Sequence, residues 1–501
     1  MTKKEIGAIL FLLIIAAFLR LYNLETTPPG LYPDEAMNGN NALEAIRTGT
    51  FKVFYPENNG REGLFINIQA LFLAATSIRE PWMLRLPSAL FGILSVLGAF
   101  YLFRELARTS ELKNDFLIGF LGSFLMATSV WHIIFSRIGF RAIMAPFFLI
   151  WAAYFLLRAM RTGSVRTAAL SGAALALGAH TYIAYRVMPL LLLCFVPRLR
   201  QHAKRWKIAG SVTLVATLVA APLLGYYAFH PADFLGRTGQ LSVMSSPAPL
   251  RDFAKNVALT LGMFNVRGDG NWRHNIAGQP ELFWPVGILF LIGIAVGLKK
   301  RALYDKVLFT WFGLALLPVA ISNEGLPHAL RAILMAPPVF GIAARGGIAL
   351  WELLKERLAD THFSKENSWG FLRIGVIARA THLEVLAVLF FGLLFYEAYY
   401  SYFMTWGQDP NVQNAFAADY VEIGHEMRAL PDTTPKNVIV EADGVLVRGI
   451  PMPAQTVMFL TDSFLPEEQK RKNIRYLTGP EAQTFAPNGP TMRGAFTFII
   501  E

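Results

Sequence analysis

The 501-residue sequence contains few charged residues and a single cysteine. Asp, Glu, Lys and Arg make up 16% of the chain, whereas hydrophobic residues make up 54%. A soluble protein of this length needs the polar surfaces of two or three domains, which so few charges cannot cover. The single cysteine, Cys194, lies within an apolar run and can form no intrachain disulfide. We therefore expect the bilayer to be the main solvent of this chain.

Apolar runs long enough to span a membrane recur along the sequence. The first, residues 6–22, follows Lys3 and Lys4 but has no small-residue cleavage site after it, so we interpret it as a retained helix and not a signal peptide. The pattern predicts an all-α polytopic membrane protein with about 11 transmembrane helices. The ten further spans are predicted near 82–103, 116–135, 142–160, 167–184, 187–200, 208–229, 283–298, 307–322, 329–350 and 383–403.

The predicted topology explains most of the formal net charge of +11. With a cytoplasmic N-terminus, basic connections such as "RLRQHAKRWK" fall on the cytoplasmic side of the cytoplasmic membrane, as the positive-inside rule requires. Attraction to anionic lipid accounts for the remaining positive charge, and no nucleic-acid partner is expected. The outer face then carries the first outer loop, residues 23–81, a long loop at 230–282, and the chain after about Met404.

The tail has a different composition from the rest of the chain. We predict a membrane domain at 1–403 and a small extracytoplasmic α/β domain at 404–501. Within the tail, "VQNAFAADYVEIGHEMRAL" predicts a helix, and "NVIVEA", "TVMFLT" and "AFTFIIE" predict strands. In the first outer loop, the apolar stretch Leu64 to Ser77 predicts an interfacial helix.

Two adjacent carboxylates, Asp34 and Glu35, open the first outer loop between a proline-rich turn and a predicted short helix. An aspartate at that position is typical of a helix N-cap. A catalytic carboxylate is the alternative, and the surrounding polar segments favour it.

Five segments on the outer face each contain arginine. A single arginine at this depth commonly binds bulk lipid headgroups. Five on one face predict an outward-facing cavity for an anionic ligand with an apolar body. The segments are "NNGREGLF" (58–65), "SRIGFRAIMAP" (136–146), "LGAHTYIAYRVMP" (177–189), "GDGNWRHNIAGQP" (268–280) and "GLPHALRAILMAPP" (325–338).

The N-terminal span, the Asp-Glu pair, the interfacial helix and the run "WMLRLPSALFGILSVLGAFYLFREL" together resemble the GT-C membrane glycosyltransferases, specifically glycosyltransferase family 39 and the protein O-mannosyltransferase-like group, over about residues 1–350. The resemblance implies an inverting glycosyltransferase that moves a sugar from a polyprenyl-phosphate donor to an acceptor hydroxyl outside. Its partners would be that lipid-linked sugar, membrane lipid, and a glycan, lipid or protein acceptor.

The resemblance also implies roles for individual residues. Asp34 would be the general base or would orient the acceptor hydroxyl, and we add Glu35 and Glu62 as candidate catalytic carboxylates. The expected donor-phosphate ligands are Arg61, Arg137, Arg141, Arg186, His328 and Arg331. The expected acceptor or sugar ligands are Tyr182, Asp269, Arg273 and His274.

The chain departs from the family pattern at two places. It has Arg61-Glu62-Gly63 where many relatives have a proline pair, and Ala142-Ile143 where many have an acidic residue after the second arginine. The second departure removes a metal ligand, and Glu62, Asp269 or Glu324 could replace it. The requirement for a divalent metal therefore stays open.

Other interpretations remain. A lipid-linked oligosaccharide polymerase or ligase would share the donor and the membrane face. A lipid flippase or transporter should carry charges near the bilayer midplane and paired broken helices in two similar halves, and neither feature is visible in the sequence. His180, inside a predicted span, is interpreted as a helix-contact histidine.

Overall fold

The computed structural model describes residues 2–234, 242–323, 325–360, 371–479, 481 and 496–500, and for 358–360, 371–382 and 496–500 it describes the backbone alone. The described chain is mainly helical because the long apolar runs form helices. Helix α1 (Lys3–Leu21) begins with a capping box in which Thr2 and Glu5 each accept the other's backbone N–H.

The segment after α1 folds as two helices joined by a hairpin. Helix α2 (Pro33–Thr48) is followed by antiparallel strands β1 (Phe54–Tyr55) and β2 (Arg61–Glu62), and then by α3 (Leu64–Thr76). The predicted helix at residues 64–77 is confirmed.

Nine α-helices follow in the described residues between Pro81 and Lys300. They are α4 (Pro81–Thr109), α5 (Asp115–Ala127), α6 (Val130–Arg137), α7 (Met144–Thr162), α8 (Val165–Ala179), α9 (Val196–Gln201), α10 (Arg205–Phe229), α11 (Pro249–Gly262) and α12 (Trp284–Lys300). The membrane region continues with α13 (Leu303–Ala320), α14 (Ala336–Asp360) and α15 (Phe371–Tyr399).

Among the described residues, six helices are long and apolar enough to cross a membrane, or seven if α5 and α6, bent by 61°, form one span. The predicted count of eleven is not confirmed. The apolar helix α8 is only 15 residues long. The predicted span at 187–200 is instead a 3-10 helix, Ile183–Phe195, followed by the short α9, since Pro189 and Pro197 interrupt α-helical hydrogen bonding there.

Glycines let some of these helices approach closely. A Cβ at Gly293 on α12 would meet the carbonyl oxygen of Ile342 at 1.9 Å, and one at Gly346 on α14 would meet that of Leu289 at 2.0 Å. The backbones of α12 and α14 therefore pack directly against each other.

The tail contains helices and a small parallel sheet. Helices α16 (Pro410–Ala415) and α17 (Ala418–Ala429) replace the single predicted helix. Strand β3 (Lys436–Val440) is central in the sheet, between β6 (Ile474–Thr478) and β7 (Phe496–Ile500). The strands predicted from "NVIVEA" and "AFTFIIE" are confirmed as β3 and β7. A hairpin of β4 (Leu446–Val447) and β5 (Ile450–Pro451) lies beside them.

The strand predicted from "TVMFLT" is wrong, because this segment forms helix α18 (Gln455–Thr461), which is followed by α19 (Pro466–Arg471). All residues of α18 are buried. A short continuous apolar run is compatible with a buried helix as well as with a buried strand, so periodicity could not distinguish the two. Phe459 and Leu460 share a hydrophobic cluster with Leu31 and Ala36, so the tail packs on the segment that carries Asp34 and Glu35.

Candidate functional site

Asp34 is the second residue of α2 and is not its N-cap. Tyr32 precedes the helix, and the Glu35 carboxylate accepts the backbone N–H of Tyr32 at 3.4 Å. The interpretation of Asp34 as a cap is therefore wrong. Instead, its carboxylate is half-buried and accepts a hydrogen bond of 2.5 Å from Nδ2 of Asn58.

Glu35 points away from Asp34 into the protein interior. Arg85, on α4, donates to its two oxygens at 3.0 and 3.1 Å, and the Gly139 N–H donates at 2.6 Å. Arg85 also donates to the carbonyls of Pro28 and Gly30. Both charged side chains of the Glu35–Arg85 pair are fully buried, so the pair fixes the turn before α2 onto α4.

The hairpin β1–β2 positions Arg61 and Glu62. Asn58, Asn59 and Gly60 all have positive φ, which forms the tight turn before β2. Side chains of successive strand residues point to opposite faces, so Arg61 faces α2 while Glu62 faces Arg141.

Arg61 is a buried cation with neutral partners. Its Nη1 donates to Oδ1 of Asn38 at 2.6 Å and its Nη2 to Oδ1 of Asn41 at 2.5 Å. Within the described part of the chain, its Nε has no partner and no carboxylate lies within ion-pair distance. Burial, with a contribution from the charge of Arg141, lowers the pKa of Arg61 to about 10, so it stays protonated at neutral pH.

Glu62 lies between two arginines. Arg141 donates to one carboxylate oxygen at 3.0 Å, and Nη2 of Arg186 is 3.9 Å from the other. Arg186 also donates to the Phe234 carbonyl and to the Tyr227 hydroxyl. Glu62 is thus buried and charge-compensated, which suits a residue that orients arginines.

Asp34 and Arg61 line a common polar cavity, here called the arginine cavity, with a volume of about 200 Å³. Three arginines and one carboxylate face it. Its walls are Asp34, Asn38, Asn58, Asn59, Arg61, Phe140, Arg141, Ala142, Tyr182, His328, Leu330 and Arg331.

A larger cavity of about 640 Å³, here called the histidine cavity, adjoins the arginine cavity. Asp34, Phe140, His328, Leu330 and Arg331 line both cavities. The other walls of the histidine cavity are Tyr32, Asp269, Gly270, Asn271, Arg273, His274, Gly325, Leu326 and Pro327.

Two loops bring Asp269, His274 and His328 together in the histidine cavity. Nδ1 of His274 is 3.0 Å from Oδ2 of Asp269, and Nδ1 of His328 is 3.9 Å from the same atom. The two imidazole rings stack with centroids 4.8 Å apart. The Ala329 N–H donates to Asp269 at 2.8 Å, which ties the second loop to the first.

Burial governs the protonation of these side chains. It lowers the pKa of His274, and together with the charges of His274 and Arg331 it lowers that of His328 to about 3. Burial raises the pKa of Asp269, but hydrogen bonds from His274 and from backbone N–H groups outweigh it and leave that pKa below its usual value. The cluster therefore holds two neutral imidazoles and one carboxylate at neutral pH.

This donor set fits a divalent metal. Asp269, His274 and His328 each offer a ligand atom, and these atoms lie within 4.8 Å of one another. Two imidazoles and one carboxylate, with further positions open to water, are typical of zinc sites. Of the other candidate metal ligands, Glu62 is held by Arg141, and Glu324 lies outside the described residues.

An apolar groove of about 300 Å³ adjoins the arginine cavity. Tyr182 and Arg331 line both, and Arg331 lines all three spaces. Nη1 of Arg331 contacts the Ser322 hydroxyl. The remaining walls of the groove are Ile183, Ala184, Arg186, Val187, Ser242, Leu317, Pro318, Ile321 and Ser322.

The structure thus brings most of the predicted site residues together. Asp34, Arg61, Arg141, Tyr182, His328 and Arg331 line the arginine cavity, while Asp269, Arg273 and His274 line the histidine cavity. Arg273 lies 4.1 Å over the ring of Tyr32. Arg186 lines the groove, and Glu62 acts through the arginines beside it.

Besides Glu62, three of the residues considered from the sequence lie in none of these spaces. Glu35 is enclosed with Arg85. Arg137 is fully buried, where it donates to the Tyr402 hydroxyl and the Thr27 carbonyl. His180 contacts the Val219 carbonyl at 3.0 Å, consistent with its interpretation as a helix-contact histidine.

Sequence reasoning missed several neighbours of Asp34 and Glu35. Asn58 lies in "NNGREGLF", where an Asn-Asn-Gly run is typical of a tight turn, but nothing in the sequence joins it to Asp34. Arg85 is the arginine of "RLPSALFG", a segment that carries the family resemblance.

No protein-family model and no curated protein matches this sequence. Solved structures do match the fold. ArnT from Cupriavidus metallidurans bound to undecaprenyl phosphate is 12% identical, with a TM-score of 0.55 over 99% of this chain and 97% of that chain. The Archaeoglobus fulgidus oligosaccharyltransferase tethered to an acceptor peptide with an NVT sequon is 13% identical, with a TM-score of 0.55 over 96% of this chain.

The present chain spans 64% of the length of that oligosaccharyltransferase. The same archaeal enzyme has been solved with an inhibitory peptide and a dolichol-phosphate, and in a complex with Zn and sulfate, with TM-scores of 0.55 and 0.53. At these identities the likeness concerns the fold. The chain shares the GT-C fold of these structures.

Proposed function

We propose that this protein is an inverting glycosyltransferase that moves a sugar from a polyprenyl-phosphate donor to an acceptor hydroxyl at the outer face of the cytoplasmic membrane. One observation carries the proposal: the Asp34 carboxylate shares a cavity with Arg61, Arg141 and Arg331, and that cavity adjoins an apolar groove. A base, a phosphate site and a lipid site thus adjoin one another, as this reaction needs.

The apolar groove and the arginines suit the two parts of the donor. Burial of a prenyl chain contributes about 0.8 kcal/mol per CH₂ group, so the groove supplies affinity without charge. Arg331 is shared by the groove and the arginine cavity, so a phosphate beside it reaches Arg61 and Arg141 while its prenyl chain lies in the groove. A guanidinium about 4 Å from the phosphate contributes roughly 4 kcal/mol at an effective dielectric of 20.

Asp34 then acts on the acceptor. Its carboxylate takes the proton of the acceptor hydroxyl while the hydroxyl oxygen bonds to the anomeric carbon from the face opposite the phosphate. The bond between that carbon and the phosphate oxygen breaks, its electron pair leaves with the phosphate, and the configuration inverts. Asn58 holds the carboxylate by the 2.5 Å hydrogen bond, and the arginines stabilise the charge that develops on the phosphate.

The other two candidate carboxylates position these groups. Glu62 orients Arg141 and Arg186, and Glu35 fixes the turn before α2 through Arg85. Arg137 serves the fold, because its partners lie in the protein interior.

The histidine cavity suits the acceptor, which is a glycan, a lipid or a protein. Asp34 lines it, and it offers Tyr32, Asp269, Arg273 and His274 as polar contacts. Structures of the same fold hold peptides and polyprenyl phosphates, which supports a lipid-linked donor and a separate acceptor.

A divalent cation held by Asp269, His274 and His328 would be a cofactor of this site. It would supply positive charge beside the cavity that contains Asp34. An oligosaccharyltransferase of the same fold has a crystal structure in complex with Zn and sulfate, which supports this assignment.

Transfer assays on the purified protein test the function. Radiolabelled polyprenyl-phosphate monosaccharides are incubated with candidate acceptors, and the lipid and product fractions are separated by thin-layer chromatography. Loss of label from the lipid, with inverted product, is expected. Transfer only from lipid-linked oligosaccharides would indicate the polymerase or ligase instead, and movement of intact lipid across vesicles without transfer would indicate a flippase.

A further inference from the structure

A separate cavity of about 430 Å³ lies between helices α5, α6, α12, α14 and α15 and the loop before α12. It contains none of the residues assigned to the donor or the acceptor. Its walls are Leu125, Thr128, Ser129, Val130, Trp131, Asn265, Asn275, Ile276, Gln279, Pro280, Glu281, Leu282, Phe283, Trp284, Val286, Ile288, Phe340, Leu394 and Glu397.

The titratable side chains of this cavity differ from those of the others. Two carboxyl groups, those of Glu281 and Glu397, line it, and no Lys, Arg or His does. Four other cavities in the described part of the chain each contain arginine. Burial, with a contribution from the charge of Asp269, raises the pKa of Glu281 well above its usual value, and a cation beside it would favour the ionised carboxylate.

Glu281, which lines this cavity, has one carboxyl oxygen without a hydrogen-bond partner among the described residues. One of its oxygens accepts the Asp269 backbone N–H at 3.1 Å. The other, Oε2, is buried and has no hydrogen-bond partner among the described residues, and the whole residue is only 5% exposed. Because a buried acceptor without a partner costs free energy, a donor from a ligand would stabilise it. Glu397 accepts a hydrogen bond from Ser401 at 2.9 Å.

The remaining walls suit the apolar body of such a ligand. Trp131, Phe283 and Trp284 supply aromatic surface, which attracts cations as well as alkyl groups. Leu394 and Glu397 lie on a helix segment, Leu383–Trp406, that is apolar and long enough to span a membrane. One wall of the cavity is therefore a candidate membrane span, which a lipid can contact from the bilayer.

We propose that this cavity binds the headgroup of a phospholipid that carries a primary ammonium group, with the ammonium between Glu281 and Glu397. A primary ammonium has three N–H donors for the carboxylates and for the side-chain oxygens of Asn265 and Gln279, whereas a trimethylammonium has none. The ammonium and its two methylene groups enter the cavity, while the phosphate, for which the walls offer no cation, and the acyl chains remain outside it.

A ligand bound in this cavity would affect the histidine cavity through the side chain of Glu281. Glu281 holds the backbone of Asp269, and the Asp269 carboxylate contacts His274 and the Ala329 N–H. The bound headgroup therefore steadies the loop that carries Asp269.

Native mass spectrometry of the delipidated protein tests the inference independently of any transfer activity. Phosphatidylethanolamine, phosphatidylcholine and phosphatidylglycerol with the same acyl chains are titrated in separate experiments. We expect one phosphatidylethanolamine per chain, bound at least about tenfold more tightly than either of the others. Equal affinities, or a preference for phosphatidylglycerol, would overturn the proposal without bearing on the glycosyltransferase assignment.

Charge-removing variants identify the site. Glu281→Gln and Glu397→Gln should each weaken phosphatidylethanolamine binding by about tenfold, since each loses a hydrogen bond to a charged group. Glu384→Gln is the matched control, because Glu384 is exposed on the same helix and lies outside the cavity. Undiminished binding in both cavity variants would contradict the proposal.

If a variant fails to fold, the comparison of the three phospholipids on the wild-type protein still tests whether the cavity prefers a primary ammonium headgroup. A Ca²⁺ ion bound in the absence of lipid and lost in both variants, with no headgroup preference, would assign the cavity to a metal and overturn the proposal.

Discussion

Asp34 is the residue whose replacement best separates catalysis from structure. Since it is not the N-cap of α2, Asp34→Asn keeps the helix start and removes only the carboxylate charge. We expect turnover to fall by at least about 10²-fold. The loss of a negative charge in the first helical turn should cost only about 0.3 to 1 kcal/mol of stability. Transfer rate and melting temperature, measured on the same preparation, separate the two effects.

Glu44→Gln is the matched control for Asp34. Glu44 lies on the same helix, pairs with Arg448 and lines neither polar cavity. It should keep normal turnover. Normal turnover in Asp34→Asn would remove Asp34 from the catalytic step.

Arg61 is expected to bind the donor phosphate, because it is a buried cation with only amide partners. Arg61→Ala should weaken binding of the polyprenyl-phosphate sugar by about 1.5 to 3 kcal/mol, the contribution of a hydrogen bond to a charged group. Arg61→Lys should recover part of this loss, since a point charge cannot make the two-pronged contact. Donor dissociation constants in nanodiscs provide the measurement.

Arg47→Ala controls for the loss of any arginine near α2. Arg47 contacts Asp462 and lies outside the cavities, so donor affinity should not change. Equal donor affinity of wild type and Arg61→Ala would mean that Arg141 and Arg331 bind the phosphate and that Arg61 does not.

At the scale of elements, the Glu35–Arg85 pair joins α2 to α4. Glu35→Gln leaves the Arg85 guanidinium buried without its counter-charge, which typically costs about 3 to 5 kcal/mol. We expect a marked fall in the melting temperature. The substrate affinity of the folded fraction should change little, because Glu35 lines neither cavity. A stable Glu35→Gln protein without activity would instead assign Glu35 to catalysis.

The two loops that carry Asp269, His274 and His328 should bind one divalent ion. Protein stripped with a chelator and dialysed against Zn²⁺ should contain about one ion per chain by elemental analysis, and less in His274→Ala and His328→Ala, since each removes one of three protein ligands. His425→Ala is the control, because His425 is exposed and pairs with Glu80. Equal metal content in all four proteins would exclude this site.

At the scale of the whole molecule, the distribution of basic residues predicts the orientation in the membrane. In a Cys194→Ser background, Gly270→Cys and Asp443→Cys should react with a membrane-impermeant maleimide in intact spheroplasts, whereas Lys204→Cys should react only after lysis. All three positions are exposed, so the reaction reports the side of the membrane and not burial. Opposite labelling of positions 270 and 443 would refute the topology.

The sequence predicted the arginine-rich face because polar residues beside apolar runs are visible without a structure. It could not separate Asp34 from Glu35. Successive helix residues point about 100° apart, so one adjacent carboxylate faces the cavities and the other faces Arg85. It grouped His328 with the phosphate ligands, with which His328 lines the arginine cavity, but it could not show that His328 also stacks on His274, which lies more than 50 residues earlier in the chain.

Composition and hydropathy alone determined that the chain is a mainly helical, polytopic membrane protein, since both depend on the local solvent preference of each segment. The tertiary structure decided the rest. It decided which apolar runs are long helices, that "TVMFLT" is helical, and which charged side chains are buried pairs and which line a cavity. Those outcomes depend on contacts between segments far apart in the chain, and the free energy of such contacts is not encoded in any single segment.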